Sequence, residues 1–122
     1  MFPARPESSA QARAYVREVL ARDDEPLVEA KRDDVLLIVA ELVTNAYRYG
    51  TEPDEKLLVA VLTTPKLVRI EVHDPRRRRP HMRNESGARA RGRGLHIVDA
   101  LAARWNVDDR PFGKAVWAEV DR

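Results

Sequence analysis

Glu41 and Asn45 stand four residues apart in the stretch Glu41-Leu42-Val43-Thr44-Asn45-Ala46. On a helix, positions i and i+4 share a face, one above the other. An Asn side-chain oxygen suits a hard cation such as Mg²⁺. A Glu one turn away can accept a proton from an attacking hydroxyl or water. Val35, Leu36, Val39, Leu42, Val43 and Ala46 supply an apolar stripe on the same helix, so the polar pair projects from one side of it. Taken alone, a Glu and an Asn also make an ordinary wet helix face.

Two further segments carry chemistry of the same kind. Asp74 ends a strand pattern, and a carboxylate at a sheet edge can accept hydrogen bonds from an exocyclic amine such as that of adenine. An Asp before Pro75 is equally an ordinary turn former. Gly92-Arg93-Gly94-Leu95 leads into a helical pattern. Glycines let backbone approach a ligand closely, and free N–H groups at a helix start attract phosphate. Arg91 and Arg93 add positive charge there. This is no Walker loop, because no Gly-Lys-Ser or Gly-Lys-Thr follows a four-residue gap. It is no dinucleotide fingerprint either, since no strand feeds three spaced glycines. Arg48, close after Asn45, either faces bound phosphates or is solvated at the helix C-terminus.

The elements around these residues are those of one domain, residues 1–122. A chain of 122 residues, 43% hydrophobic, can build a real core. Charged residues make up 34% of it, yet the composition is not that of a disordered chain. It has no cysteine, which excludes disulfides and thiolate metal sites. The start lacks a signal-peptide core and no apolar run reaches membrane-spanning length, so a cytoplasmic protein with no membrane role is expected. Net charge is only +2. Arg76, Arg77, Arg78, Arg79, Arg83, Arg89, Arg91 and Arg93 nevertheless crowd one stretch, opposed only by Glu85.

Ser8 and Ser9 are placed to cap a helix over about 10–21, with Ala12, Tyr15, Val16, Val19 and Leu20 as its stripe. The main helix is expected from about Arg32 to Tyr49, ended by Gly50 at C′. Leu57–Thr63 and Leu67–His73 alternate as strands, and Thr64-Pro65-Lys66 joins them as an antiparallel hairpin. Asp74–Arg91 reads as a long loop, Gly94–Ala103 as a helix, and 105–107 with 115–120 as a second strand pair. Trp105 and Trp117 are expected in the core. The order predicts α+β: a two-layer sandwich with helices on one face of a mixed, mostly antiparallel sheet.

Together these segments resemble the histidine-kinase-like ATPases of the Bergerat fold, and most of all the small anti-sigma-factor serine/threonine kinases and their actinobacterial relatives. The resemblance rests on Glu41–Gly50, Val72-His73-Asp74, Gly92–Val98 and Gly113-Lys114-Ala115-Val116-Trp117-Ala118, and covers about 8–121. It implies ATP and Mg²⁺ as cofactors. It makes Asn45 the metal ligand, Glu41 the general base and Asp74 the acceptor for the adenine amine. Gly92, Arg93, Gly94 and Leu95 would give backbone donors to phosphates, Arg48 would lie beside them, and 76–91 would form a lid. It further implies protein partners, a sigma factor or an anti-sigma-factor antagonist carrying the acceptor serine, and a homodimer.

The chain departs from that pattern at three places. The family follows the adenine Asp with glycines, whereas here the text is Asp74-Pro75-Arg76-Arg77-Arg78. Ala115 stands where a Thr often assists the Asp, and Tyr49 where many relatives carry His. The first two fall on the base-binding half. A non-catalytic regulator with weak or no ATP binding is therefore the alternative reading. Nucleic-acid binding through the Arg loop is a minor third, disfavoured because no aromatic residues interleave with the arginines. His73, His81 and His96 lack metal-ligand spacing.

Overall fold

The computed structural model describes residues 1–24, 26–50, 55–75, 95–111 and 113–122, with the side chains of 49 and 50 left outside. In chain order the elements are β1 (Phe2–Pro3), α1 (Glu7–Ala21), α2 (Glu29–Asn45), β2 (Lys56–Thr63), β3 (Leu67–Asp74), α3 (helical over 95–101), β4 (Arg104–Arg110) and β5 (Gly113–Asp121). A π-helical turn over Ala46–Gly50 carries α2 onward. The five strands form one sheet in the order β1-β2-β3-β5-β4, antiparallel at every pairing. Three helices pack on it, which is the α+β arrangement expected and the architecture of the Bergerat fold.

Alternation explains the sheet. In β3 every second side chain, Val68, Ile70, Val72 and Asp74, is buried. Across from them in register lie Val120, Ala118, Val116 and Lys114 of β5. A strand turns successive side chains to opposite faces, so these two rows form one surface under the helices. Helix α2 lays Val35, Ile38, Val39, Leu42 and Val43 on that surface, and Ala12, Val16 and Leu20 of α1 join the same core. Burying a side chain such as Leu42 or Ile38 contributes about 1.5–3 kcal/mol relative to leaving it in water.

Several boundaries differ from expectation. Helix α1 begins at Glu7, so Ser8 and Ser9 are inside it, and neither caps it. The Ser8 hydroxyl instead donates to the Pro3 carbonyl and ties α1 to β1, a strand too short for the alternation to reveal. Tyr15 is 41% exposed, its ring tilted against Phe2, so it is not part of the α1 stripe. Helix α2 starts three residues early, at Glu29, and its α-helical bonding stops at Asn45 before the π turn takes over.

The opposite face of the sheet is wet and charged. Trp117 lies on that face, not in the core, with the Arg69 guanidinium 4.1 Å from its ring centroid. Arg69 also donates to Glu71 at 2.7 Å and to Glu119 at 3.1 Å. His73 Nε2 lies 2.8 Å from Glu71, and Arg104 donates to Glu119 at 2.7 Å. Burial pushes the Glu71 carboxyl up, but hydrogen bonds from Arg69 and His73 outweigh it and hold the group below the usual carboxylate range. The Arg104 hydrogen bond, set against burial and helped by Arg69, does the same for Glu119. Trp105 does pack against the core, its indole N–H donating to Asp99 at 2.9 Å.

Candidate functional site

Asn45 is the last residue of α2, and only 7% of it is exposed. The apolar residues around it make that helix end bury its polar side chain along with its neighbours. Its Oδ1 is buried and has no hydrogen-bond partner among the described residues. A buried acceptor left unpaired costs about 1–3 kcal/mol, and native structures rarely tolerate one without reason. Glu41, one turn earlier, is half-buried. Arg48 lies exposed in the π turn, and such turns inside helices often mark functional positions.

That turn packs against β3, and α2 itself crosses β3 and β5. Asp74 is the last residue of β3 and is 5% exposed. Its carboxylate faces the helices, because it continues the inward row of Val68, Ile70 and Val72. The Lys114 ammonium donates to Asp74 Oδ1 at 2.9 Å, and the two side chains are 3% and 1% exposed. The β4–β5 turn brings Lys114 there. Gly113 has φ +143°, and a Cβ on it would overlap the Asp74 carbonyl oxygen and sit 2.7 Å from Pro75 Cα. Only glycine lets these two backbones lie so close.

Lys114 stands in the Gly113–Ala118 motif, but the motif gives it no role of its own. A signal was present all the same: Lys114, Val116, Ala118 and Val120 alternate, and the first member of that apolar row is a lysine. Leu95 opens the described part of α3 and is 1% exposed, so its side chain belongs to the core. The expected phosphate donors Gly92, Arg93 and Gly94, and the expected lid over 76–91, lie outside the described residues.

The donor set fits Mg²⁺ of the nucleotide-borne kind. That ion keeps waters and takes only one or two protein oxygens, the rest coming from substrate phosphates. Asn45 Oδ1 is such an oxygen, and it has no hydrogen-bond partner among the described residues. No cluster of three or more His, Asp or Glu able to cage a metal exists among the described residues. A family model for the histidine kinase-like ATPase domain matches residues 2–120.

The chain belongs to the histidine kinase-like ATPase domain family. Its fold is similar to the histidine kinase domain of the blue-light-activated histidine kinase EL346 from Erythrobacter litoralis, with a TM-score of 0.58 and 18% sequence identity. That match covers 97% of this chain and 60% of the other, so the chain spans about three-fifths of that protein's length. No match was found among the curated proteins. Membership carries with it the expectation of ATP binding. No helix among the described residues is long and apolar enough to cross a membrane.

Proposed function

We propose that this histidine kinase-like ATPase domain binds Mg-ATP and passes the γ-phosphoryl group to a serine or threonine of a small protein partner. The observation that carries the reading is the buried Oδ1 of Asn45, which has no hydrogen-bond partner among the described residues. Asn45 would hold the metal, which when bound neutralises charge developing on the phosphates. Glu41 would take the proton of the acceptor hydroxyl as its oxygen attacks the γ-phosphorus. The bond from that phosphorus to the bridging oxygen breaks, and ADP leaves. In phosphoryl transfer most of the catalysis is positioning and electrostatics, and a rigid helix presenting both groups one turn apart serves that. The partner would be an anti-sigma-factor antagonist or a sigma factor, met by a homodimer of this chain in the cytoplasm.

Titration calorimetry tests the first half directly. Mg-ATP should bind the wild type, and Asn45→Ala should abolish the Mg²⁺-dependent part of that binding. Equal Mg-ATP affinity in the two proteins would sink the assignment. A second reading has its own support: Asp74 is already engaged by Lys114, which favours a regulator that binds its protein partner with little help from nucleotide. That reading predicts no heat with Mg-ATP and unchanged partner binding in its absence.

A further inference from the structure

Strand β2 is a sheet edge for most of its length. Among the described residues, β1 pairs with it only at Lys56 and Leu57, and from Leu58 to Thr63 its one partner strand is β3. Hydrogen bonding alternates along an antiparallel strand, so successive residues bond to opposite sides. The Glu55 carbonyl accepts from the Ala4 N–H at 3.0 Å on the β1 side, and the Thr64 N–H donates to the Leu67 carbonyl at 2.9 Å on the β3 side. By that alternation Val59, Val61 and Thr63 turn their N–H and C=O groups to the open edge. Such an edge accepts another strand unless something blunts it, and charged side chains or proline are the common means. β4, at the other end of the sheet, carries Arg104, Asp108, Asp109 and Arg110. β2 has neither charge nor proline from Leu57 to Thr63. On its wet face Leu58 and Leu62 are 42% and 48% exposed.

We infer that this edge pairs with the same edge of a second copy of the chain, antiparallel about a two-fold axis at Val61. β1 fixes that centre, because it already takes Lys56 and Leu57 and leaves Val59, Val61 and Thr63 as the open set. Val61 then lies opposite its own copy and Val59 opposite Thr63, each offering a donor and an acceptor to the other. On the wet face Leu62 falls across from the small Ala60 of the other copy. No charge repels, and the two sheets become one. An edge of this length buries little area, so the dimer is reversible. The inference supplies a surface for the homodimer in the reading above and draws nothing from the nucleotide site.

Sedimentation of the full chain over a range of concentrations reads this out. The wild type should pass from monomer to dimer as concentration rises. A monomer throughout overturns the inference and leaves the Mg-ATP reading standing. Ala60→Lys and Leu62→Glu should each weaken the dimer by about tenfold or more, since each sets a charge against an apolar strand. Both suit the single chain, because Ala60 lies across from Glu71 and Leu62 across from Arg69 in the β2–β3 register. Mixed together, the two variants should associate again, as the introduced charges then meet across the axis. Variants that dimerise like the wild type, or a mixture that does not associate, overturn the inference. Should the variants fail to fold, hydrogen exchange of the wild type decides. The Val61 and Thr63 amides should gain protection as concentration rises, and exchange that ignores concentration overturns the inference.

Discussion

Lys114 Nζ lies 2.9 Å from Asp74 Oδ1, and the pair closes one end of the inward row of side chains on β3 and β5. Every other member of that row is apolar. A lone charge at this depth would carry a desolvation penalty of several kcal/mol, so each partner makes the other tolerable.

Removing one partner should therefore be costly. Lys114→Ala is expected to lose about 3–5 kcal/mol, because it takes a buried cation away from a buried carboxylate. Replacing both, as Asp74→Asn with Lys114→Met, should cost far less than the single change. Urea unfolding of the three proteins measures this. A Lys114→Ala midpoint equal to wild type would mean that the pair is solvated.

Asn45 should behave in the opposite way. Its Oδ1 has no described partner, so an apolar residue of similar size removes a penalty instead of a bond. Asn45→Leu is expected to leave thermal stability unchanged or raise it by about 1 kcal/mol, while Mg-ATP binding is lost. Calorimetric melting beside nucleotide titration separates the two effects. A marked loss of stability would show that Oδ1 is satisfied in the folded chain.

Glu41 should split binding from turnover. Glu41→Ala keeps Mg-ATP affinity within about threefold of wild type and lowers phosphoryl transfer by roughly 100-fold or more, the usual contribution of a positioned general base. Single-turnover transfer of labelled phosphate to the protein partner is the measurement. Equal rates in both proteins would remove Glu41 from the mechanism.

Gly113 should accept no side chain. Its φ of +143° and the Asp74 carbonyl in the path of a Cβ make Gly113→Ala strained twice over. A loss of about 3 kcal/mol or more is expected, read from the urea midpoint. A near-neutral substitution would mean that the β4–β5 turn stands away from Asp74.

The wet face of the sheet sets an acid limit. Glu71 and Glu119 are both held below the usual carboxylate value of 4.5 in the folded chain. Folded carboxylates of this kind bind protons more weakly than the unfolded chain does. Their contribution is complete above about pH 4.5 and is lost as pH falls through the depressed folded values. The double variant Glu71→Gln, Glu119→Gln should be less stable than wild type at neutral pH, and its stability should fall less steeply in acid. Parallel acid limbs for the two proteins would show that the network contributes nothing there.

Periodicity and motif spacing were enough to establish the helix that carries Glu41 and Asn45, the two hairpins and the α+β class. These are properties of neighbouring residues: a 3.6-residue apolar period, a two-residue alternation and a short turn each act within a few positions. The ends of α1 and α2 were less legible, because neither helix begins at a side-chain cap: Pro6 and Val28 stand at the N-cap positions and make no capping hydrogen bond. Trp117 and Tyr15 were misplaced for a related reason, since a large aromatic fits a core or a half-wet face equally well until its strand or helix is seated. Only the folded chain showed that Asn45 Oδ1 is buried without a described partner, and only it joined Lys114 to Asp74 across 40 residues. Such facts depend on which strand lies beside which, and no local pattern encodes that. Burial and pairing arise when the sheet closes under α2, and there an ordinary lysine and an ordinary asparagine acquire their chemistry.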